Sequence, residues 1–168
     1  MQVRAARETD LAIITAIYNE EVSRGTATFD TEPRDGTAAL AWFAGHSPGR
    51  HPVLVADVDG RVAGWASLSA WSPRGAYSGT VEASVFVDGR RRRRGAGRVL
   101  VAALEEAARR AGHHVILGRI EAANAPSLAL FARAGYRQVG VMREVGRKFG
   151  RWLDVVLVER ILAEEDER

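Results

Sequence analysis

Val85-Phe86-Val87-Asp88-Gly89-Arg90-Arg91-Arg92-Arg93-Arg94-Gly95-Ala96-Gly97-Arg98 is the stretch whose reading decides the fold. It leaves a β-branched and aromatic run that reads as a strand over 79–88. It enters a segment in which Val99, Leu100, Ala103, Leu104 and Ala107 recur at helical spacing, a helix over 97–111 that Gly112 stops. Between them lies a turn whose glycines permit close backbone approach. The next helix aims its free N–H groups and positive dipole end at that turn, an anion site suited to a pyrophosphate. The neighbouring arginines add charge and bidentate donors. No Gly-Lys-Ser/Thr follows, so this is no Walker A loop. The third glycine of the dinucleotide fingerprint is also missing, and the order of elements around it is wrong for that fold.

The charge pattern agrees. The chain has 168 residues, 24 Lys+Arg against 21 Asp+Glu, and a net charge of +3. Lys148 is the only lysine, and without the five consecutive arginines the chain would be slightly acidic. The excess is thus local, which argues against a general nucleic-acid surface. The length suits one domain, 1–168, with 163–168 a frayed acidic tail. With no cysteine there is no disulfide, Cys-ligated zinc or thiol nucleophile, and the four histidines lack helical His-x-x-x-His spacing, so no metal site is expected. No apolar run is long enough for a membrane span and no signal peptide is visible, so a cytoplasmic protein without membrane partners is expected.

Working outward, a strand reads over 2–6 and a helix over 11–23 capped by Thr9 or Asp10. A loop follows over 26–34, and then a helix over 35–44. Strands over 52–58 and 61–71 flank Asp59-Gly60, a strong hairpin signal. Downstream come a strand over 113–121, a helix from Asn124 or Ala125 to Gly135 with Pro126 in its first turn, and strands over 136–145 and 151–160 separated by a loop at 146–150. The order β α α β β β α β α β β predicts an α/β (α+β) single domain: a mixed, mostly antiparallel central sheet flanked by helices.

Arg92-Arg93-Arg94-Gly95-Ala96-Gly97 resembles the phosphate loop of the GNAT superfamily of acyl-CoA-dependent N-acetyltransferases, Gln/Arg-x-x-Gly-x-Gly/Ala. Asn124-Ala125-Pro126-Ser127 and Phe131-Ala132-Arg133-Ala134-Gly135-Tyr136 extend the likeness over nearly the whole chain. Thr80-Val81-Glu82-Ala83-Ser84, Tyr18-Asn19, Arg74-Gly75-Ala76-Tyr77 and Gly150-Arg151-Trp152-Leu153-Asp154 look like the phosphinothricin and methionine sulfoximine/sulfone acetyltransferases. The resemblance implies a GNAT fold, acetyl-CoA as co-substrate, a small-molecule amine acceptor and a homodimer. It also implies that Glu82 is the base acting on the substrate's α-amino group. Val85, Phe86 and Val87 would contact acetyl-CoA through backbone groups. Arg92, Arg93, Arg94, Gly95, Ala96, Gly97 and Arg98 would cradle its phosphates, while Asn124, Ser127 and Arg133 would reach the pantetheine or nucleotide end. Phe29, Ser72, Pro73, Arg74, Tyr77 and Glu82 would contact the substrate.

The chemistry asks for these types. An ammonium must lose a proton before it attacks a thioester, and a nearby carboxylate, directly or through water, removes it. Strand N–H groups near Val85 suit a developing oxyanion. Arg74 offers a fork for a small acid's oxygens. Two departures stand out: relatives selective for sulfoximines carry arginine where this chain has Ser72 and Ser78, and Ala132 stands where many GNAT enzymes place a general-acid tyrosine. The group that reprotonates the CoA thiolate is therefore unassigned. Plainer readings stay open beside these: Glu82 as a solvent-facing strand residue, Asn124 as a helix cap, Arg133 as surface charge. His113-His114 reads as structural. Alternatives for the whole chain are a polyamine, aminoglycoside or protein N-terminal acceptor, or a non-catalytic CoA- or nucleic-acid-binding module.

Overall fold

The computed structural model describes residues 1–162, so the expected tail over 163–168 lies outside the described residues. Seven strands and four helices follow one another as β1 (Gln2–Ala5), α1 (Leu11–Arg24), α2 (Gly36–Ala44), β2 (Val53–Val58), β3 (Arg61–Ala70), β4 (Thr80–Val87), α3 (Ala96–Arg110), β5 (Val115–Glu121), α4 (Ala125–Arg133), β6 (Arg137–Lys148) and β7 (Arg151–Ile161). They form one sheet in the order β1-β2-β3-β4-β5-β7-β6. Only β4 and β5 are parallel; every other neighbouring pair is antiparallel. The predicted order and the mostly antiparallel mixed sheet are both present.

Alternation along the strands gives the sheet two apolar faces. One packs on α3 and α4, where Leu100, Leu104, Val81, Ile116 and Phe131 are buried. The other packs on α1 and α2 around Trp65, Ile14, Tyr18 and Val22. Trp65 stacks on Phe86 with ring centroids 4.8 Å apart and meets the edge of Trp42 at 5.2 Å. Truncating Trp65 to alanine leaves a cavity in this second core and costs about 3–5 kcal/mol.

The parallel pair decides the shape of the middle. β4 and β5 are in register only at Thr80–Val115, Val81–Ile116 and Glu82–Leu117. Beyond Glu82 the two strands part while each keeps its outer neighbour, and the sheet splits open from that rung onward.

Three local expectations are corrected. Asp10 precedes α1 but does not cap it: its carboxylate accepts from Arg7 N–H at 2.8 Å and from the Arg4 guanidinium at 2.7 and 3.0 Å. The expected loop at 146–150 is a two-residue turn, because Phe149 and Gly150 both take positive φ (51° and 75°) and close a tight hairpin. β6 therefore runs on to Lys148, and an irregularity between Met142 and Gly146, with Glu144 at φ 51°, takes up the extra residues. The 35–44 helix starts at Gly36 because Asp35 is its cap, its carboxylate accepting from Ala38 N–H at 2.7 Å.

Candidate active site

The split between β4 and β5 opens into a cleft of about 540 Å³. Its floor is β3 (Trp65, Ser67, Ser69), β4 (Glu82–Phe86) and β5 (Gly118–Glu121). The loop Thr26–Asp30 forms one wall, and Met142 and Val145 of β6 and Val155 of β7 complete the lining.

Glu82 occupies the last paired rung of β4, on the face toward α1 and α2. Its two carboxylate oxygens accept from Arg119 Nε at 2.7 Å and Nη2 at 2.6 Å. The pairing, more than any other factor, raises the Arg119 guanidinium above its ordinary pKa, so that cation is permanent. Arg119 follows Leu117 by two residues on β5, and Leu117 pairs with Glu82, so both charges share one face. Sequence reasoning missed Arg119. The available signal was the pair Arg119 and Glu121, two apart in an otherwise apolar strand, which marks a polar face at the sheet centre.

Beyond Glu82 the backbone matters. Trp71 N–H donates to Thr80 O at 3.2 Å and Asp88 N–H to Ala63 O at 3.0 Å. With the unbroken β3–β4 register, these two bonds turn the backbone groups of Thr80, Glu82, Ser84, Phe86 and Asp88 toward β3. Ala83, Val85 and Val87 then point theirs the other way, into the split. The expectation for Val85 and Val87 thus has open backbone groups behind it. Phe86 is a correction: its backbone is committed to Trp65 on β3, and its ring packs on Trp65 and Tyr18.

The turn after β4 reaches α3 through Arg93 at φ 63° and Gly95 at φ 87°. Gly95 is the residue before the helix and supplies no capping side chain, so the first N–H groups of α3 keep their hydrogens free. The nearby glycine at 97 serves packing instead: a Cβ there would lie 3.0 Å from Leu130 of α4. Arg93, Arg94 and Arg98 are exposed around this helix start. Arg92 differs from expectation, because its guanidinium pairs with Glu21 of α1.

Asn124 does cap α4, its side chain accepting from Ser127 N–H at 3.2 Å, and both residues also line the cleft. Arg133 is exposed in the last turn of α4, away from the cleft lining. Phe29 stands in the cleft, pressed against β6 so closely that a Cβ on Gly146 would overlap its ring. Ser72, Pro73, Arg74 and Tyr77 do not line it. The β3–β4 ladder continues past Glu82 to the Trp71–Thr80 rung, so their loop starts beyond the floor; Arg74 faces solvent and Tyr77 is 45% exposed.

The loop wall is assembled by residues around Tyr18-Asn19. The Asn19 side chain donates to Arg34 O at 2.8 Å and accepts from Arg34 N–H at 2.9 Å. Tyr18 Oη donates to Asp30 at 2.5 Å and meets Thr28 Oγ1 at 2.8 Å. Burial first, and the Asp30 hydrogen bond second, hold this phenol above its ordinary pKa and keep it neutral. The Arg34 guanidinium lies 3.9 Å from the Tyr18 ring centroid and 4.9 Å from that of Trp42. Thr26 donates to Glu121 at 3.1 Å, tying the loop to β5. Lys148 is buried and donates to Glu21 O at 3.0 Å and Thr28 O at 2.8 Å.

A strand that splits from its parallel neighbour, next to an uncapped helix start, offers open backbone groups for an extended ligand and free N–H groups for its anionic end. Comparison with known proteins makes the assignment. Residues 3–157 match the acetyltransferase (GNAT) domain family. The chain is 42% identical over 158 residues to the L-methionine sulfoximine/L-methionine sulfone acetyltransferase of Pseudomonas paraeruginosa, covering 94% of this chain and 92% of that one. An acetyltransferase of Salmonella typhimurium, solved with its cofactor acetyl-CoA, superposes with a TM-score of 0.94 at 37% identity, over 100% of this chain and 97% of that one. A phosphinothricin acetyltransferase of Sinorhizobium meliloti in complex with acetyl-CoA superposes with a TM-score of 0.93 at 33% identity, over 99% and 91%. The chain belongs to the GNAT acetyltransferase family.

Proposed function

We propose that this protein transfers an acetyl group from acetyl-CoA to the α-amino group of a small amino acid-like substrate, in one direct step. The observation that carries the reading is Glu82 at the mouth of the split, with the backbone edges of Val85 and Val87 open just beyond it. Relatives named for methionine sulfoximine, methionine sulfone and phosphinothricin support the acceptor class.

Acetyl-CoA supplies an activated acyl thioester when bound. Glu82 takes the proton from the bound ammonium, directly or through a water, and so makes the nitrogen nucleophilic. The N–H groups of Val85 and Val87 are the donors for negative charge developing on the acyl oxygen. The free N–H groups at the start of α3, with Arg93, Arg94 and Arg98, hold the phosphates. Asn124 and Ser127 flank the path between. The chain has no cysteine, in keeping with direct transfer rather than a thiol-bound intermediate.

A cytoplasmic homodimer completes the reading. Val139, Val141 and Val145 on β6, Phe149 in the turn and Trp152 on β7 are each 46–60% exposed, apolar surface that a second copy would cover. The test is a thiol-release assay with acetyl-CoA against phosphinothricin, methionine sulfoximine, methionine sulfone, common amino acids, a polyamine and an aminoglycoside, on protein characterised by sedimentation. Turnover confined to the amino acid-like amines is expected. Turnover confined to the polyamine or aminoglycoside would overturn the acceptor class, and a species of only 18.3 kDa would overturn the dimer.

A further inference from the structure

Two guanidiniums line the cleft, and they are held differently. Arg34 is folded between the Tyr18 and Trp42 rings. Arg119 stands on the floor with its side chain 54% exposed, Trp71 beside it at 5.6 Å, and only Nε and Nη2 engaged. Nη1 donates to nothing among the described residues. Its partner Glu82 gives one acceptor site on each oxygen to this fork, so an arriving ammonium competes with Arg119 for the carboxylate. The Arg119 side chain is 54% exposed and that of Glu82 18%, so opening this bidentate pair costs energy unless each charge receives a new partner as it opens.

An α-amino acid offers the complementary arrangement: an ammonium and a carboxylate on one carbon, set against a carboxylate and a guanidinium on one floor. We propose that Arg119 is the specificity-determining residue that receives the substrate's carboxylate when the Glu82–Arg119 pair opens. The ammonium replaces the guanidinium on Glu82, and the freed fork takes the carboxylate by a bidentate bond. An amine without a carboxylate opens the same pair and leaves Arg119 uncompensated in the cleft. A polyamine is in addition repelled by it. The substrate class narrows to free α-amino acids, with peptide N-termini and simple amines excluded. This rests on the amino acid reading above but moves carboxylate recognition from the solvent-facing Arg74 to β5.

Binding separates this inference from the catalytic one. Calorimetry with CoA present compares L-methionine sulfone with its carboxamide, on wild type, Arg119→Gln and Arg119→Lys. The wild type is expected to prefer the acid at least about tenfold, Arg119→Gln to bring the two within about twofold, and Arg119→Lys to keep part of the preference. Melting curves of the variants establish that each is folded, and the lysine variant carries the test if the glutamine variant is not. An acid-to-amide ratio unchanged by Arg119→Gln overturns the proposal. So does a wild type that binds both equally or neither. A wild type that shows the binding preference yet releases no thiol leaves Arg119's role standing and removes the proposed transfer.

Discussion

On the donor side of the cleft, one continuous run from Glu82 to Arg98 carries the strand edge, the turn and the helix start. On the acceptor side, the wall and floor come from α1, the loop after it, β5 and β6, brought together across as many as 127 positions of sequence, the separation of Glu21 and Lys148. The first region works through backbone groups whose direction follows from strand alternation and the positive φ of Arg93 and Gly95. The second works through side chains whose neighbours are known only once the sheet is assembled. On the proposed assignment, donor binding is a local property of this chain and acceptor choice a global one, so substitutions on the two sides should separate cleanly in kinetics.

The largest expected effect sits where the two regions meet. Glu82→Gln keeps shape and removes the base, and kcat should fall about 10²–10³-fold with the KM for acetyl-CoA nearly unchanged. A rate close to wild type across the pH range would assign the proton transfer elsewhere. Next comes a purely donor-side change. Gly95 is at φ 87°, with open space around a would-be Cβ, so Gly95→Val acts through backbone strain of about 1–3 kcal/mol rather than collision. The KM for acetyl-CoA should rise about tenfold while the acceptor KM holds. If the acceptor KM rose equally, the two sides would not be separable.

The same contrast explains what was legible. The strands and helices were readable because their periods are local: the predicted and observed bounds of β3, β4 and α3 differ by a residue or so. The turn at 149–150 was misread because Phe149 adopts a positive φ that its residue type does not announce. On the donor side, the Gly95 turn was read from the residues and the contacts of Val85, Phe86 and Val87 from the resemblance; the structure leaves the backbone groups of Val85 and Val87 turned away from β3, and Phe86 was not separated from them because its direction depends on the β3 register. On the acceptor side, Phe29 was placed in the pocket, but Arg119, Asp30, Arg34 and Glu121 were passed over. Their meaning comes from long-range pairing, such as the parallel rung that sets Arg119 beside Glu82. Arg74 was favoured by the resemblance and by its two-donor fork, yet the β3–β4 ladder runs on to the Trp71–Thr80 rung and leaves Arg74 facing solvent.

The smallest effect belongs to the acceptor wall. Lys148 ties the end of α1 to the loop at Thr28, and Glu21 O is also met by Gly25 N–H, so Lys148→Met strands mainly the Thr28 carbonyl. A loss of about 1–2 kcal/mol of stability and a modest rise in acceptor KM are expected, with the KM for acetyl-CoA unaffected. The pH dependence gives a sharper reading. Burial holds the Lys148 ammonium below its ordinary pKa of 10.5, with Glu21 and Asp30 opposing the shift. Between the lowered folded value and 10.5 the unfolded chain holds the extra proton, so this group adds stability as pH rises through that window. The neutral amine still has hydrogens for both carbonyls. Chemical denaturation of wild type and Lys148→Met at neutral pH and near pH 10 should therefore show the gap between them widening in favour of wild type at the higher pH. A gap that narrows would mean the ammonium charge, rather than its hydrogen bonds, holds the loop against α1, making the acceptor wall an electrostatic structure where the donor side is a conformational one.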